Sequence, residues 1–316
     1  PKNCIINIMN NSLTNDDVIN LKELLNIILS KKIFLTTVAG FFSSIALFFS
    51  LTLPNIYQSS ALLSPVAQSG ISASMRNYSG LASLAGISLP QQSGETTVLK
   101  ATEKINSLSF FSEYILPKIF LPDLMAIESW DSQSNKINYD QNKYDIKTNS
   151  WIRSISYPQN VIPSAQESYE IFVKNHLNVS QDKNTGFVLI SVKHQSPFVA
   201  QEWTELIVSQ VNNFFREKDR KESETALNYL NSQIAITGFS EIKQAIAELV
   251  KQHTQKLTLI EVSDFYVFDY IDPPVVMEST DEPNRKSIFL IGAFIGFIFG
   301  LLIILFQHYF LSKKHS

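Results

Sequence analysis

Two long hydrophobic runs without any charged residue lie near the two ends of the chain, at residues 33–53 and 287–306. At a rise of about 1.5 Å per residue, each forms a helix long enough to cross a hydrocarbon layer of roughly 30 Å. The first run is too long for a signal-peptide core, and no small-x-small cleavage pattern follows it before Pro54. The pattern therefore predicts two transmembrane helices, at 33–53 and 288–306.

Basic residues near the first run predict how the chain is oriented. Lys22, Lys31 and Lys32 precede this run, whereas no basic residue follows it until Arg76. Lysine and arginine close to a span favour the cytoplasmic side. We therefore expect residues 1–32 and 307–316 to be cytoplasmic, and residues 54–287 to form one extracytoplasmic domain.

Shorter patterns predict the first elements around the first span. Apolar positions recur at helical spacing within residues 15–32, which indicates an amphipathic helix in the cytoplasmic segment. Weak alternation at 56–63 predicts a strand, and the Ser-, Gly- and Gln-rich residues 64–96 read as a surface loop around a small helical patch. A helix is predicted at 95–116, with one apolar side made of Val98, Ala101, Ile105 and Leu108.

The middle of the domain carries local signals for helix starts and a hairpin. Ser164 and Glu167 have the spacing of a capping box, in which each side chain accepts a free amide of the first turn. Two strand-like runs flank residues 182–186, DKNTG, which predicts a hairpin. Ser196 and Pro197 then supply an N-cap and a first-turn proline for the next helix.

That next helix is predicted at about 197–236. Its first half carries an apolar stripe, but residues 216–224 contain no apolar residue. Charged pairs four residues apart are expected to support it there, namely Glu217 with Lys221, Lys218 with Glu222, and Arg220 with Glu224. A continuous helix of this length measures roughly 60 Å. Two helices broken near Ser223 remain the alternative, although no Gly or Pro marks a break.

A second helix is predicted to return at about 240–260, followed by a strand in the alternating run 265–272. The long helix and its return partner would stand on a base of strands and shorter helices. The predicted fold is thus an α+β extracytoplasmic domain with a long protruding helical hairpin, anchored by two transmembrane helices.

Composition and motifs narrow the function. A net charge of −3 over 316 residues excludes a strongly basic nucleic-acid binder. The single cysteine, Cys4, gives the outer domain no intrachain disulfide. No phosphate-binding glycine loop, C-x-x-C, H-E-x-x-H or G-x-S-x-G motif is present. We therefore predict no catalytic, cofactor or metal site, and an enzyme is possible but unsupported.

Histidines and aromatic residues of the outer domain have a structural reading and a functional one. His176, His194 and His253 have no spaced Asp, Glu or Cys partner, so surface or satisfied structural roles are favoured over ligand roles. Five aromatic residues could stack on sugar rings, but packing is the favoured reading because aromatic side chains dominate protein cores. They are Trp130, Tyr139, Tyr144, Trp151 and Tyr157.

Small residues in both spans predict close helix contact. Gly292, Gly296 and Gly300 are four residues apart and share one helix face, where another backbone can approach. Gly40 and Ser44 offer a similar face in the first span, together with Ala39 and Ser43.

A proline segment joins the last strand to the second span. Pro273 and Pro274 cannot donate hydrogen bonds to a sheet and should end the strand, and Pro283 repeats the restriction nine residues later. Arg285 and Lys286 follow at the level expected for lipid headgroups, where snorkelling is the favoured role and contact with a lipid pyrophosphate is the alternative.

Taken together, these segments resemble the Wzz-type polysaccharide co-polymerases, the chain-length determinants of bacterial O-antigen and related surface glycans. The resemblance extends from about Asp16 to Phe306 and is carried by three stretches. They are DDVINLKELLNIILSKKIF, PNIYQSSALL, and SEIKQAIAELVKQHTQKLTLIEVSDFYVFDYIDPPVV with its continuation EPNRKSIFLIGAFIGFIFG. The family has a proline-rich segment outside a glycine-bearing second span, and here residues 275–282 are free of proline.

The resemblance implies a non-enzymatic regulator in the bacterial inner membrane, with both termini cytoplasmic and the main domain periplasmic. Members of this family form ring-shaped homo-oligomers, often octameric. They act with a Wzy-type polymerase that extends glycans on undecaprenyl pyrophosphate. The function expected from the resemblance is therefore control of polysaccharide chain length by an oligomeric scaffold, with the membrane, the polymerase and the lipid-linked glycan as partners.

Three other functions share parts of this pattern. A polysaccharide export component of the same superfamily has the same layout. A membrane-anchored glycan hydrolase would need a carboxylate pair in a cleft. A two-span sensor would need a cytoplasmic signalling module, which the tail 307–316 is too short to provide, and the class fused to a tyrosine kinase is disfavoured for the same reason and by the absent phosphate loop.

Overall fold

The structure is a computed structural model that describes residues 26, 28–66 and 94–307. The chain divides into two compact units: residues 55–281 form one, and residues 1–54 with 282–316 form the other. Most of the predicted cytoplasmic amphipathic helix, most of the Ser-rich segment 64–96, Cys4 and the tail after residue 307 lie outside the described residues.

The described residues form the following helices and strands. The α-helices are α1 (Lys32–Thr52), α2 (Gly94–Ile105), α3 (Leu108–Phe110), α4 (Leu121–Met125), α5 (Ala165–Ile171), α6 (Pro197–Ile236), α7 (Ser240–Val262) and α8 (Arg285–Phe306). Two π-helical turns, Phe111–Ile115 and Phe172–His176, and a 3-10 turn, Leu116–Lys118, extend the shorter helices. The strands are β1 (Tyr57–Pro65), β2 (Ile127–Asp131), β3 (Lys136–Tyr139), β4 (Tyr144–Asp145), β5 (Ser150–Trp151), β6 (Leu177–Gln181), β7 (Val188–His194) and β8 (Phe268–Asp272).

A four-stranded antiparallel sheet organises the 55–281 unit, in the order β6-β7-β1-β8. β1 lies inside this sheet and alternates in burial, with Ser59, Ala61 and Leu63 buried. The strand predicted at 56–63 is therefore present. The hairpin around residues 182–186 is also confirmed, because β6 pairs with β7 and Gly186 adopts the positive φ of 74° that closes the turn.

The core of this unit forms where the first half of α6 crosses the sheet. Trp203, Ile207 and Val211 of α6 are buried together with Ala61 of β1 and Ile190 of β7. Each such large side chain contributes about 1.5–3 kcal/mol through burial. The predicted apolar stripe therefore selects the face of α6 that holds the domain together.

The helix predicted at 95–116 is interrupted, which corrects that prediction. α2 ends at Ile105, and Ser107 caps a new turn by accepting a hydrogen bond from the Phe110 amide at 3.3 Å. The break changes the helical phase, so Phe110 and Phe111 enter the core while Leu108 is 41% exposed. Leu108 was expected on the buried side but is exposed. The side chain of Ser107 caps a new turn there, and this local hydrogen bond takes the place of continuing the helix.

The capping box at Ser164 is present and has an additional partner. The Ser164 hydroxyl accepts a hydrogen bond from the Glu167 amide at 3.2 Å. The Glu167 carboxylate binds the Arg153 guanidinium, and this contact, with a smaller contribution from the Ser164 amide, holds the pKa of Glu167 below its usual value. Arg153 also donates to the carbonyls of Asn160 and Val161, so it fixes the preceding loop to α5.

At the start of α6, Pro197 occupies the first turn as predicted, but the Ser196 hydroxyl makes no capping hydrogen bond. The Ser196 amide instead donates to Nδ1 of the buried His194 at 3.0 Å. Ser196 itself is almost fully buried, and its amide hydrogen bond to His194, two residues earlier, is the contact that fixes it at the start of α6.

α6 is one continuous helix of 40 residues, and no break occurs near Ser223. The expected i, i+4 charge pairs are not the ones that form. Arg220 binds Glu217 within α6 and Glu261 of α7, both at 2.8 Å, and Asp219 binds Lys256 of α7 at 3.1 Å. Asp219 and Arg220 are therefore paired with charged residues of α7, which the one-helix pattern alone could not reveal.

Asn212 connects α6 to the chain that enters β8. Its side chain is buried, and its Oδ1 accepts hydrogen bonds from the amides of Val267 (2.8 Å) and Phe268 (3.0 Å). Its Nδ2 donates to the Phe268 carbonyl at 3.1 Å. One amide side chain thus satisfies several backbone groups where the strand begins, as a buried polar residue requires.

Candidate functional site

The two long apolar helices α1 and α8 pack against each other through the glycine face of α8. Gly292, Gly296 and Gly300 are buried, as is Ile304 one turn further on. On α1 the contacted residues lie mainly at helical spacing, and they are Leu35, Val38, Ala39, Phe42, Ser43 and Ala46. The predicted glycine face therefore meets α1 of the same chain.

The contact is too close for a side chain at two of the three glycines. A Cβ atom at Gly292 would lie 2.5 Å from the Cβ of Ala46. At Gly296 it would lie 2.8 Å from the Cβ of Phe42 and 2.9 Å from the Cα of Ala39. Because Ala39 presents backbone and not a flexible side chain, the helices would have to separate to admit it.

Gly40 and Ser44 lie on a different part of α1. A Cβ atom at Gly40 would meet no heavy atom within 4 Å among the described residues, and Ser44 is exposed. The Ser44 hydroxyl donates to the Gly40 carbonyl at 2.9 Å within its own helix. Of the small residues predicted on α1, Ala39 and Ser43 therefore meet the glycines of α8, whereas Gly40 and Ser44 do not.

The remaining surface of both helices is apolar and exposed. Phe41 (63%) and Phe48 (73%) project from α1, and Leu290 and Phe294 (both 65%) project from α8. Both helices are long and apolar enough to cross a membrane, and only about a fifth of each is buried within the protein. The core helix of a soluble protein would be mostly buried, so lipid is the environment that suits these side chains.

The ends of α8 carry polar and basic groups. The Asn284 side chain caps its first turn by accepting from the Ser287 amide at 3.2 Å. Arg285 and Lys286 follow and are exposed. Because the helix dipole is positive at the N-terminus of α8, it does not stabilise these two cations. At the other end, Lys31 donates to the Gln307 side chain at 2.9 Å.

The first two prolines of the linking segment belong to the sheet-containing unit. β8 ends at Asp272, and Pro273 and Pro274 follow, as predicted. Residues 273–281, which we term the proline arch, then run back along β1. Pro283 lies beyond the arch, in the unit that contains α8.

The proline arch is fastened to the sheet at several points. The Ser59 hydroxyl donates to the Val275 carbonyl at 2.9 Å, and the Asp281 amide donates to the Ile56 carbonyl at 2.8 Å. Lys193 of β7 forms an ion pair with Asp281 at 2.8 Å. The sequence predicts only a joint between the last strand and the second span here, and neither Ser59 nor Lys193 carries a motif that would reveal these contacts.

A cavity of about 320 Å³ lies between the proline arch and the outer face of β1. Gln58 and Ser60 of β1 line it from the sheet, and Asp272 and Asp281 line it from the two ends of the arch. The lining thus combines an amide, hydroxyls and carboxylates in one concave place, with apolar arch residues between them.

Two histidines predicted to be structural are buried around Trp203. The ring centroid of His194 lies 5.1 Å from that of Trp203 and 5.8 Å from that of His176. Nε2 of His194 contacts the Asp123 carbonyl at 3.1 Å, so this nitrogen donates while Nδ1 accepts from Ser196. Burial lowers the pKa of His194 to about 4 and also lowers the pKa of His176, and both rings are therefore neutral at pH 7.

Four of the five aromatic residues considered for sugar stacking pack within the domain. Tyr144 is buried, with Tyr139 and Trp151 at centroid distances of 5.7 and 5.3 Å. Burial raises the pKa of Tyr139, and its hydroxyl donates to Asp123 at 2.6 Å. Trp130 lies edge-on to Tyr57 at 5.5 Å. Tyr157 differs, because it is 96% exposed.

Within the described residues, no group of three or more His, Cys, Asp or Glu side chains is close enough to hold a metal ion. The structure thus offers two candidate sites, one in each unit: the glycine face between α1 and α8, and the cavity under the proline arch.

Part of the chain matches the model of a known family. No curated protein sequence matches the chain. Among solved structures, the chain is similar to a full-length bacterial polysaccharide co-polymerase, with 13% identity, coverage of 94% of this chain and 100% of that one, and a TM-score of 0.41. The family model for Wzz, chain length determinant protein, matches residues 17–116. The match includes the first span and β1 but does not reach the proline arch or α8, and it confirms over residues 17–116 the resemblance to Wzz chain length determinants.

Proposed function

We propose that this protein regulates the chain length of a bacterial surface polysaccharide, either O-antigen or a related lipid-linked glycan. The observation that carries the proposal is the match of residues 17–116 to the Wzz chain length determinant model. The architecture agrees with it: two exposed apolar helices accompany a mixed sheet-and-helix unit with a helix of 40 residues. The role is regulatory and not catalytic.

In this proposal α1 and α8 anchor the chain in the inner membrane. Both termini are cytoplasmic and the 55–281 unit is periplasmic, as the lysines before α1 favour. Arg285 and Lys286 begin α8 and would meet lipid headgroups, where snorkelling side chains keep their charge in water. The glycine face stabilises the pairing of the two membrane helices within each chain.

The protein acts as a homo-oligomeric ring that serves as a scaffold for a Wzy-type polymerase and its undecaprenyl-pyrophosphate-linked glycan. An octamer is the size that the family resemblance suggests. Exposed apolar side chains at the far end of the α6–α7 pair support contacts between neighbouring copies. Ile236 (75%), Phe239 (70%) and Ile242 (49%) are the main ones, and Tyr229 (64%) lies two turns earlier. The pair would protrude from the sheet as a helical hairpin.

Deletion of the gene followed by electrophoresis of the surface polysaccharide tests this function. Loss of a preferred chain length, with roughly unchanged total polysaccharide at the surface, is the expected result. Unchanged length distributions in every surface glycan would contradict it.

A polysaccharide export component is the second candidate, because it has the same two-span layout. The same deletion separates the two. An export component would reduce the amount of polysaccharide at the cell surface while unexported polymer accumulates, whereas a regulator changes its length distribution.

A further inference from the structure

The cavity under the proline arch has the shape and lining of a small-ligand site. Its volume of about 320 Å³ lies at the lower end of the range for small-molecule pockets, enough for about one or two sugar rings. Its floor is the outer face of β1, which the sheet holds rigidly through pairing with both β7 and β8.

The three fastening points of the arch preform this cavity. Asp272 pairs with Leu62 at one end of β1, and the Asp281 amide bonds to Ile56 at the other end. Between them Ser59 holds the Val275 carbonyl. The residues between Val275 and Asp281 must therefore bow away from the strand, and the cavity lies beneath them. A preformed site does not have to spend binding energy on ordering a loop.

The polar groups suit hydroxyl-rich ligands. Gln58 and Ser60 share one face of β1, and the Gln58 amide nitrogen donates to the Ser60 hydroxyl at 3.3 Å, which leaves the Gln58 carbonyl oxygen to accept from a ligand. Ser279 and Thr280 add hydroxyls from the arch, and Pro273 and Met277 add apolar surface. Side-chain amides, hydroxyls and carboxylates together can bond to both the donors and the acceptors of sugar hydroxyls.

The charges of the cavity select against anionic ligands. Lys193 neutralises Asp281 at 2.8 Å. The side chain of Asp272 is exposed and forms no hydrogen bond or ion pair within the part of the chain that the structure describes, so its negative charge has no protein partner there. A net negative cavity repels phosphate and uronic acid groups and favours neutral or amino-bearing groups.

We propose that the cavity between the proline arch and β1 binds a neutral or amino-bearing saccharide unit, with Asp272, Gln58 and Ser60 accepting and donating hydrogen bonds to its hydroxyls. This inference rests on the proposed function for the identity of the glycan. It adds to that function a direct contact between the regulator and the polymer whose length it controls.

The test uses the full-length protein in lipid nanodiscs and saturation-transfer NMR. The probe is the set of oligosaccharides released by mild acid from the surface polysaccharide of the source strain, separated by anion exchange into neutral and acidic pools. The neutral pool should give saturation transfer, and the acidic pool should bind at least about tenfold more weakly. Asp272→Asn and the cavity-filling Ser60→Trp should each weaken binding about tenfold or more, which corresponds to loss of a hydrogen bond to a charged group.

Glu278→Gln is the matched control, because Glu278 is exposed on the same arch and does not line the cavity. Like Asp272→Asn, this substitution removes one negative charge from a residue near the cavity, but it should leave binding unchanged. Absence of binding by the wild-type protein, preference for the acidic pool, or equal effects of Asp272→Asn and Glu278→Gln would each overturn the inference. The gene-deletion experiment tests the regulatory function independently of this binding experiment. If deletion abolished the modal chain length but the protein bound no saccharide, this inference would be wrong and the regulatory function would stand.

Discussion

Gly296 of α8 lies against the backbone of Ala39 in α1, so closely that a Cβ atom on Gly296 would come within 2.9 Å of the Ala39 Cα. Such an approach allows two apolar helices to associate through their backbones, where lipid offers no hydrophobic driving force for association. The three glycines of α8 therefore have a defined partner inside the chain.

Replacing Gly296 by leucine should force α1 and α8 apart without preventing membrane insertion, because the added side chain is itself apolar. Overpacking of this kind costs about 1–3 kcal/mol. Thermal unfolding of the detergent-solubilised protein should show a lower Tm for Gly296→Leu. Gly40→Leu is the matched control, since the position is open among the described residues, and its Tm should stay close to wild type. Equal Tm values for the two variants would contradict this packing.

Asn212→Ala should destabilise the 55–281 unit at the start of β8. The substitution leaves the amides of Val267 and Phe268 without their acceptor, and unsatisfied buried groups cost about 1–3 kcal/mol each. Urea unfolding and faster amide exchange at residues 266–268 would measure the effect. The neighbouring Asn213 is exposed, and Asn213→Ala should change the free energy of unfolding by less than about 0.5 kcal/mol.

The ion pair between Asp219 and Lys256 should stabilise the contact of α6 with α7. Both side chains are about one-fifth exposed, and Asp219 also accepts from the Tyr266 hydroxyl at 2.6 Å. Lys256→Met should therefore lower the free energy of unfolding by about 1–2 kcal/mol. Lys251→Met breaks an exposed pair with Glu248 within α7 and should cost less than about 0.5 kcal/mol. If both variants lost the same amount, solvent-screened charge and not the inter-helix contact would explain the effect.

Acidification should destabilise the 55–281 unit through His194. Its folded pKa is lowered to about 4 by burial, whereas an unfolded histidine titrates near 6.5. Between those values the unfolded chain binds the proton and the folded chain does not. This contribution is fully present above about pH 6.5, falls as the pH drops towards 4, and amounts to roughly 3 kcal/mol at most.

The measurement is the unfolding free energy at several pH values from 7 to 4.5 for wild type and His194→Gln. The variant should lose part of the pH dependence because it removes the titrating ring. His253→Gln, which changes a half-buried ring on α7, should keep most of it. Parallel pH profiles for wild type and His194→Gln would show that another group is responsible.

Elements whose signal lies within a short stretch of sequence were predicted correctly. The two long apolar helices, β1, the hairpin at β6 and β7, and the continuous helix α6 all follow from periodicity, turn residues and charge. The interruption at Ser107 could not be predicted from apolar spacing, because the residues on both sides fit a helix and only tertiary packing of Phe110 and Phe111 decides the phase.

The candidate sites were likewise predictable from the sequence only in part. Four-residue spacing identified the glycine face, but only the structure shows that it meets Ala39 and Phe42 and leaves Gly40 and Ser44 on open surface. The prolines predicted the end of β8. The return of the proline arch onto Ser59 and Lys193 depends on contacts between residues far apart in sequence, which no local pattern records.

Whether this protein sets polysaccharide chain length is tested most directly in a strain that lacks the gene. The strain receives the gene back as wild type, Gly40→Leu or Gly296→Leu, and the length distribution of the surface polysaccharide is measured. Wild type and the Gly40→Leu variant should restore a modal chain length, whereas Gly296→Leu, present in the membrane at equal amount, should leave the distribution broad. An unchanged distribution after deletion, or no recovery of the modal length with the wild-type gene, would contradict the account.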